Sequence, residues 1–294
     1  MVTEAAERTP FAGYAARITK APNWHGLVAW DMLFNSLSSG LFLTAALGEL
    51  AAPHLFARIA RVAYPVALAF LIADLVCLVL DLGDSWRFHH MLRIFKPSSP
   101  MSLGTWCLTV YSLPLAIAAA LSLLGIDTPA LEWVRKLAVI LAIFPAFGVA
   151  VYKGVLLSTT AQPGWRDGRW LGGYLTSSAF VLGFVQMLLL ALVLGEARAR
   201  DVARIGLVVL LLVNLVLLLL LAIDLRGVLA RVCSPAKLAK LAVIGLVGET
   251  LIPIALLLSG NWAFPELVAV LLLLAGGLMT RFEVVRLPHQ AAEC

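Results

Sequence analysis

Charged residues are scarce in this 294-residue chain: Asp, Glu, Lys and Arg together make up 13% of it, against about a quarter in soluble domains. Cysteine is scarcer still. Cys77, Cys107, Cys233 and Cys294 are scattered with no CxxC pair, so the chain holds no iron–sulfur cluster of its own, which needs clustered thiolates, and has no disulfide framework. The five histidines (His25, His54, His89, His90 and His289) all lie at or beyond the ends of apolar stretches. A haem buried between spans needs axial ligands at matching depth, so no haem is expected. There is no Gly-rich nucleotide loop, no H-E-x-x-H and no metal-spaced cluster, hence no metal in this chain. The formal net charge of +5 does not gather on any soluble module, so nucleic acid is not a partner.

What the chain has instead is apolar length. Hydrophobic residues make up 62%, and stretches near 20 residues suffice to cross a bilayer. Eight are read, at about 27–48, 62–82, 103–124, 136–157, 171–194, 204–225, 239–259 and 264–282. The fold class is therefore all-α, a polytopic membrane protein with eight transmembrane helices. Residues 1–23 lack a continuous apolar core, so no cleavable signal is expected and the first span serves for insertion. With eight spans both termini share one side, and 15 of the 22 Lys and Arg fall there. The positive-inside rule then puts both termini in the cytoplasm.

Positions in the two halves correspond. Gly40 and Gly183 lie 143 residues apart, as do Asp81-Leu82 and Asp224-Leu225. Two units of four spans in parallel repeat give that register. The expected division is an N-terminal tail and interfacial segment (1–26), a first four-helix bundle (27–157) containing an interfacial loop (83–102), a second four-helix bundle (158–282) and a C-terminal tail (283–294). Small residues in the run Asn35 to Gly40, at Gly172-Gly173 and at Ser177-Ser178 suit close helix seams.

The segment Asp81 to Gly104 separates two apolar runs and carries Trp86, Arg87, Phe88, His89, His90, Arg93 and Lys96. It reads as a helix end, a short amphipathic helix at a membrane surface, a turn with Pro97 and Pro100 around two serines, and a capped restart. Within the spans, Asp74, Asn214 and Glu249 sit midway, Asp31 lies one turn inside the first span, and Asp224 one turn from the end of the sixth. A mid-membrane charge costs roughly 2.5–3.5 kcal/mol on the insertion scale and usually faces an interior or a wet cavity. Asp31, Asp74, Asp224 and Glu249 therefore read either as a proton route or as ties between helices. Trp24-His25 sit at interface depth, where they read as a ligand-binding pair or as an interfacial anchor. Tyr152 at a span end has the same two readings, Asn35 offers a buried amide, and Lys153 either lines a pocket or snorkels outward.

The chain resembles the NrfD/PsrC family of polysulfide-reductase-like membrane subunits. The resemblance rests on Asp81-Leu82-Gly83, Arg87-Phe88, His90, Ser99-Pro100-Met101-Ser102 with Gly104, Tyr152 with Gly154 to Ser158, and Arg281-Phe282 with Val284-Val285, and it runs over about residues 24–287. One departure is plain: Asp84-Ser85 stand where the family usually has Arg-Pro. The resemblance implies two four-helix bundles in a bacterial inner membrane, and a subunit reactive towards quinone or quinol with no redox centre of its own. It also implies an iron–sulfur partner and a molybdopterin catalytic subunit, in a complex akin to a sulfite dehydrogenase. Menaquinone or ubiquinone would be bound by Trp24, His25, Asn35 and Tyr152, with Asp31, Asp74, Asp224 and Glu249 carrying protons. Trp86, Arg87, His89, His90, Arg93 and Lys96 would dock the partner. Two other classes stay open on the residues alone: an ion- or proton-translocating transporter subunit without a redox partner, and a purely structural anchor.

Overall fold

The computed structural model describes Trp24 and residues 26–125, 128–162, 164–260 and 262–292. Nine α-helices are found among the described residues: α1 Gly26–Ala51, α2 Pro53–Asp81, α3 Pro100–Leu124, α4 Pro129–Ser158, α5 Leu171–Leu194, α6 Ala197–Val232, α7 Pro235–Ala242, α8 Ile252–Leu258 and α9 Ala263–Ala292. A π-helical stretch, Val243–Leu251, joins α7 to α8. It ends just before Pro253, whose missing N–H removes the α-type bond to residue 249.

Four helices start earlier than their apolar stretches because proline sets the start. Pro53, Pro100, Pro129 and Pro235 occupy first-turn positions, where the absent N–H costs nothing and the fixed φ suits a helix. Ser99 accepts from Ser102 N and Ser234 from Lys237 N, two N-caps that satisfy otherwise orphaned donors. Gly125 and Gly195, at φ 59° and 72°, close α3 and α5 in the left-handed region, where a Cβ is penalised.

Among the described residues, seven helices are long and apolar enough to cross a membrane: α2 to α6, the continuous span Pro235–Leu258, and α9. The expected eighth, α1, does not meet that measure, and its surroundings explain why. Seventeen of its 26 residues are buried, among them Asp31, Asn35, Ser36, Ser38, Ser39 and Glu49. It packs against α2, α4, α5 and α9, so protein rather than lipid surrounds it and polar side chains find partners there. The outer helices carry the lipid-facing residues, Phe144, Leu123, Val193 and Leu258 being largely exposed.

The seam between the two halves of the chain runs through the paired glycines. A Cβ on Gly40 would lie 1.9 Å from the Ala179 carbonyl oxygen, and one on Gly183 would lie 2.3 Å from the Gly40 carbonyl oxygen. The repeat positions read from the sequence thus meet each other, backbone on backbone. Gly154 of α4 makes the same kind of contact with Gly172 of α5, as expected where helices associate in lipid through small residues.

The segment after α2 holds the short surface helix expected of it, wound as 3-10 rather than α. Ser85–Leu92 forms a 3-10 helix with no buried residue. Arg87 pairs with Asp84 at 3.0 Å, and Ser102 Oγ accepts from Lys96 N at 3.0 Å while donating to the Ile94 carbonyl. These local bonds hold the segment as a tight strap against the start of α3.

Candidate functional site

Two carboxylates and one lysine converge inside the end of the bundle where α1 begins. Asp31 and Asn35 lie one helical turn apart on α1, Asp74 projects about two turns before the end of α2, and Lys153 comes from the last turns of α4. Lys153 Nζ lies 2.7 Å from Asp31 Oδ2, 2.8 Å from Asp74 Oδ1 and 3.0 Å from the Asp31 carbonyl oxygen. Its three N–H donors are thereby all used. Asn35 Nδ2 donates to the other Asp74 oxygen at 3.2 Å, and Asp74 is fully buried. One polar atom is left over: Asp31 Oδ1 is buried without a hydrogen-bond partner.

That carboxylate faces a cavity of about 370 Å³, inside the usual range of small-molecule sites, roughly 300–1,000 Å³. Trp24, Asp31, Tyr152 and Lys153 line it together with Asp81, and Phe88, Met91 and Leu92 of the 3-10 strap form one wall. The remaining lining is mostly aliphatic. The protons of its Thr and Ser hydroxyls are already spent, since Thr105, Thr109 and Ser112 each donate to a carbonyl of their own helix. The Tyr152 ring lies flat on α3 because position 104 has no side chain; a Cβ there would sit 2.1 Å from the ring. Trp24 packs on Trp165 with centroids 5.4 Å apart, and its carbonyl is 2.9 Å from His289 Nε2. A Gly104→Ala chain should fold, yet push the Tyr152 ring into the cavity. The expected result is loss of small-molecule binding at this end by about tenfold or more at nearly unchanged melting temperature, read by ligand titration and thermal scanning.

The sequence-derived residues fall into three places. Trp24, Asp31 and Tyr152 share the cavity; Asp74 holds Lys153 beside it, and Asn35 holds Asp74. His25 lies outside the described residues. Glu249 is elsewhere, on the π-helical stretch of the second half, where Thr280 donates to it and Gly276 gives it room. Asp224 is half-buried on α6, and its Oδ2 accepts no hydrogen bond from the described residues. The docking candidates Trp86, Arg87, His89, His90, Arg93 and Lys96 are on the surface strap or beside it; Trp86 is 87% exposed.

Two buried cationic centres went unassigned in the sequence. Arg281 is 1% exposed; it donates to the Met32 carbonyl, the Gly277 carbonyl, Ser36 Oγ and Ser178 Oγ at 2.7–3.3 Å. Lys153 and Arg281 thus hold two successive α1 carbonyls, those of Asp31 and Met32, from opposite halves. At the other end of α1, Arg135 binds Glu49 at 2.5 Å and Glu132 at 2.6 Å, and Tyr64 donates to Glu49. The only sequence signal for that cluster was a set of charges at span ends, which also serves orientation. No group of three or more His, Cys, Asp or Glu able to hold a metal ion occurs among the described residues.

A largely apolar cavity lined by a carboxylate with one unpartnered oxygen, within a bundle of helices long and apolar enough to cross a membrane, defines a multi-pass helical membrane protein with a candidate small-molecule site. The family described as polysulphide reductase, NrfD, matches residues 17–287, and the chain belongs to that family, whose members are membrane subunits of quinone-interacting oxidoreductase complexes. No curated protein matches the chain.

Proposed function

We propose that the cavity beside Asp31 binds the head group of a membrane quinone or quinol, and that the chain is the quinone-reactive anchor of a multi-subunit oxidoreductase. The observation that carries this reading is Asp31 Oδ1, a buried, unpartnered acceptor at the polar end of an otherwise apolar pocket. A group that brings an O–H to that atom, or takes a proton from it, completes the hydrogen bonding that the protein leaves open. A quinol and its quinone supply that chemistry, a couple of two electrons and two protons.

The residues divide the work by geometry. Lys153 has no donor to spare and serves to fix both carboxylates. Asp74 holds Lys153 from behind and is itself held by the Asn35 amide. Asp31 takes or gives the proton: one ammonium and two carboxylates sum to −1, so a single added proton leaves the buried cluster neutral, which a low-dielectric site favours. Tyr152, lying on Gly104, offers its phenol to the opposite edge of a head group. Trp24 lines the same cavity, His25 stays a candidate head-group donor from the sequence alone, and Asp224 and Glu249 remain candidates for proton movement in the second half. The strap from Trp86 to Lys96 is the docking surface for a partner bearing iron–sulfur clusters, with a molybdopterin catalytic subunit behind it, in a sulfite dehydrogenase-like complex. The strap also walls the pocket, which keeps an electron path short. The charge distribution supports cytoplasmic termini in a bacterial inner membrane. The Gly40–Gly183 seam supports a division into two four-helix bundles.

Asp31→Asn tests the assignment. The amide keeps the shape and leaves Asp74 to neutralise Lys153, but removes the proton acceptor. Quinol-dependent turnover of the complex should fall about 100-fold or more, while menaquinone or ubiquinone still co-purifies. Unchanged turnover would remove Asp31 from the mechanism, and a purified wild-type complex without quinone would remove the pocket.

A further inference from the structure

The second half of the chain has its own cavity, of different chemistry. It lies between α6, α7 and α9, at the same end of the bundle as the first, and measures about 890 Å³. Its depth is aliphatic, with Leu218, Leu225, Leu241 and Ile244 among the walls. The one hydroxyl within it, on Thr280, is engaged by Glu249 and the Gly276 carbonyl. Nothing inside therefore asks for a polar head group, unlike the Asp31 pocket. The mouth is the opposite. Arg226, Lys237, Lys240 and Arg286 line the cavity against a single acid, Glu283. Glu283 lies 3.9 Å from Lys237 and 3.7 Å from Arg286, both at the long edge of an ion pair, so the one acid offsets two of the four cations only weakly.

An aliphatic slot rimmed by surplus positive charge at a membrane surface matches a molecule with fatty chains and an anionic head group. We propose that this cavity is a binding site for an anionic phospholipid. Its acyl chains lie between α6 and α9, and its phosphate rests on Arg226 and Lys240, with Lys237 and Arg286 beside them. The chemistry is that of basic pockets between membrane helices, which select anionic head groups, with charge-assisted bonds to phosphate oxygens from the guanidinium and ammonium groups. A zwitterionic lipid fills the same slot but gains less from the rim, because its own cation opposes that charge. A quinone gains nothing there, since the interior offers it no free donor or acceptor.

The test uses the full-length chain in neutral detergent micelles holding equal amounts of phosphatidylglycerol and phosphatidylcholine, with retained lipids counted by native mass spectrometry. The wild type should retain phosphatidylglycerol over phosphatidylcholine by about tenfold or more. Arg226→Gln with Lys240→Gln, both exposed positions, should weaken that retention about thirtyfold and leave quinone content untouched. Ala222→Trp, which plugs the slot from another exposed position, should expel both lipids. Equal retention of the two lipids, retention unaffected by the double substitution, or displacement of phosphatidylglycerol by added menaquinone would each overturn the proposal.

Discussion

Lys153→Met is expected to destabilise the protein by about 3–5 kcal/mol, the usual cost of breaking a buried ion pair by removing one partner. The reason is specific to this site. Lys153 Nζ is within 2.8 Å of both Asp31 and Asp74, and Asp74 is fully buried. Methionine matches the length of the side chain but leaves two carboxylates facing one another with only Asn35 as a donor. Part of the loss should return in Lys153→Met/Asp74→Asn, which removes one of the stranded charges. The measurement is thermal unfolding in detergent for the single and double variants, with quinol turnover of the folded fraction. If the single variant unfolds at the wild-type temperature, the triad is not the tie described here.

Gly40→Val should be nearly as damaging, for a reason unrelated to charge. A Cβ at that position would meet the Ala179 carbonyl oxygen at 1.9 Å, and the obstacle is backbone, which no rotamer change relieves. The α1–α5 seam must open, breaking the close packing on which association in lipid depends. A loss of about 3 kcal/mol or more is expected, at the upper end of overpacking costs. Gly173→Val is the control: a Cβ there meets only side-chain carbons, at 3.6 Å and beyond. The two variants should differ clearly in folded yield and melting temperature.

Much of the helical layout was legible in the sequence because the bilayer imposes it. Stretches such as 103–124 and 171–194 reappear as α3 and α5 with little change. Span starts were read late wherever a proline with a polar turn preceded the apolar run, as at Pro53 and Pro129. The first span was counted correctly as a helix, yet it is not one of the seven that pass on length and apolarity. An interior helix trades lipid contact for partners, and Asn35 and Glu49 show what it takes on in exchange. Of the site, Asp31, Asp74 and Tyr152 stood out as polar groups in apolar company. Lys153 was ambiguous, since a lysine near a span end is equally at home snorkelling. Arg135 and Glu49 look in the sequence like ordinary span-end charges, although they meet across 86 residues of chain.

By itself, the sequence determined that this is a multi-pass helical membrane protein, where its helices run, and which polar side chains are too costly to sit in hydrocarbon alone; each follows from a slab of fixed thickness that satisfies no backbone group. Only the tertiary structure decided who meets whom: that Lys153 spends every donor on Asp31 and Asp74, that Asp31, with Oδ1 unpartnered, lines a cavity, and that Arg281 grips α1 from the other half. The physical reason is rotation. Lipid-facing and helix-facing sides are both apolar, so the hydrophobic pattern leaves each helix free to turn about its axis. Close backbone contacts such as Gly40 on Ala179 stop it at one angle.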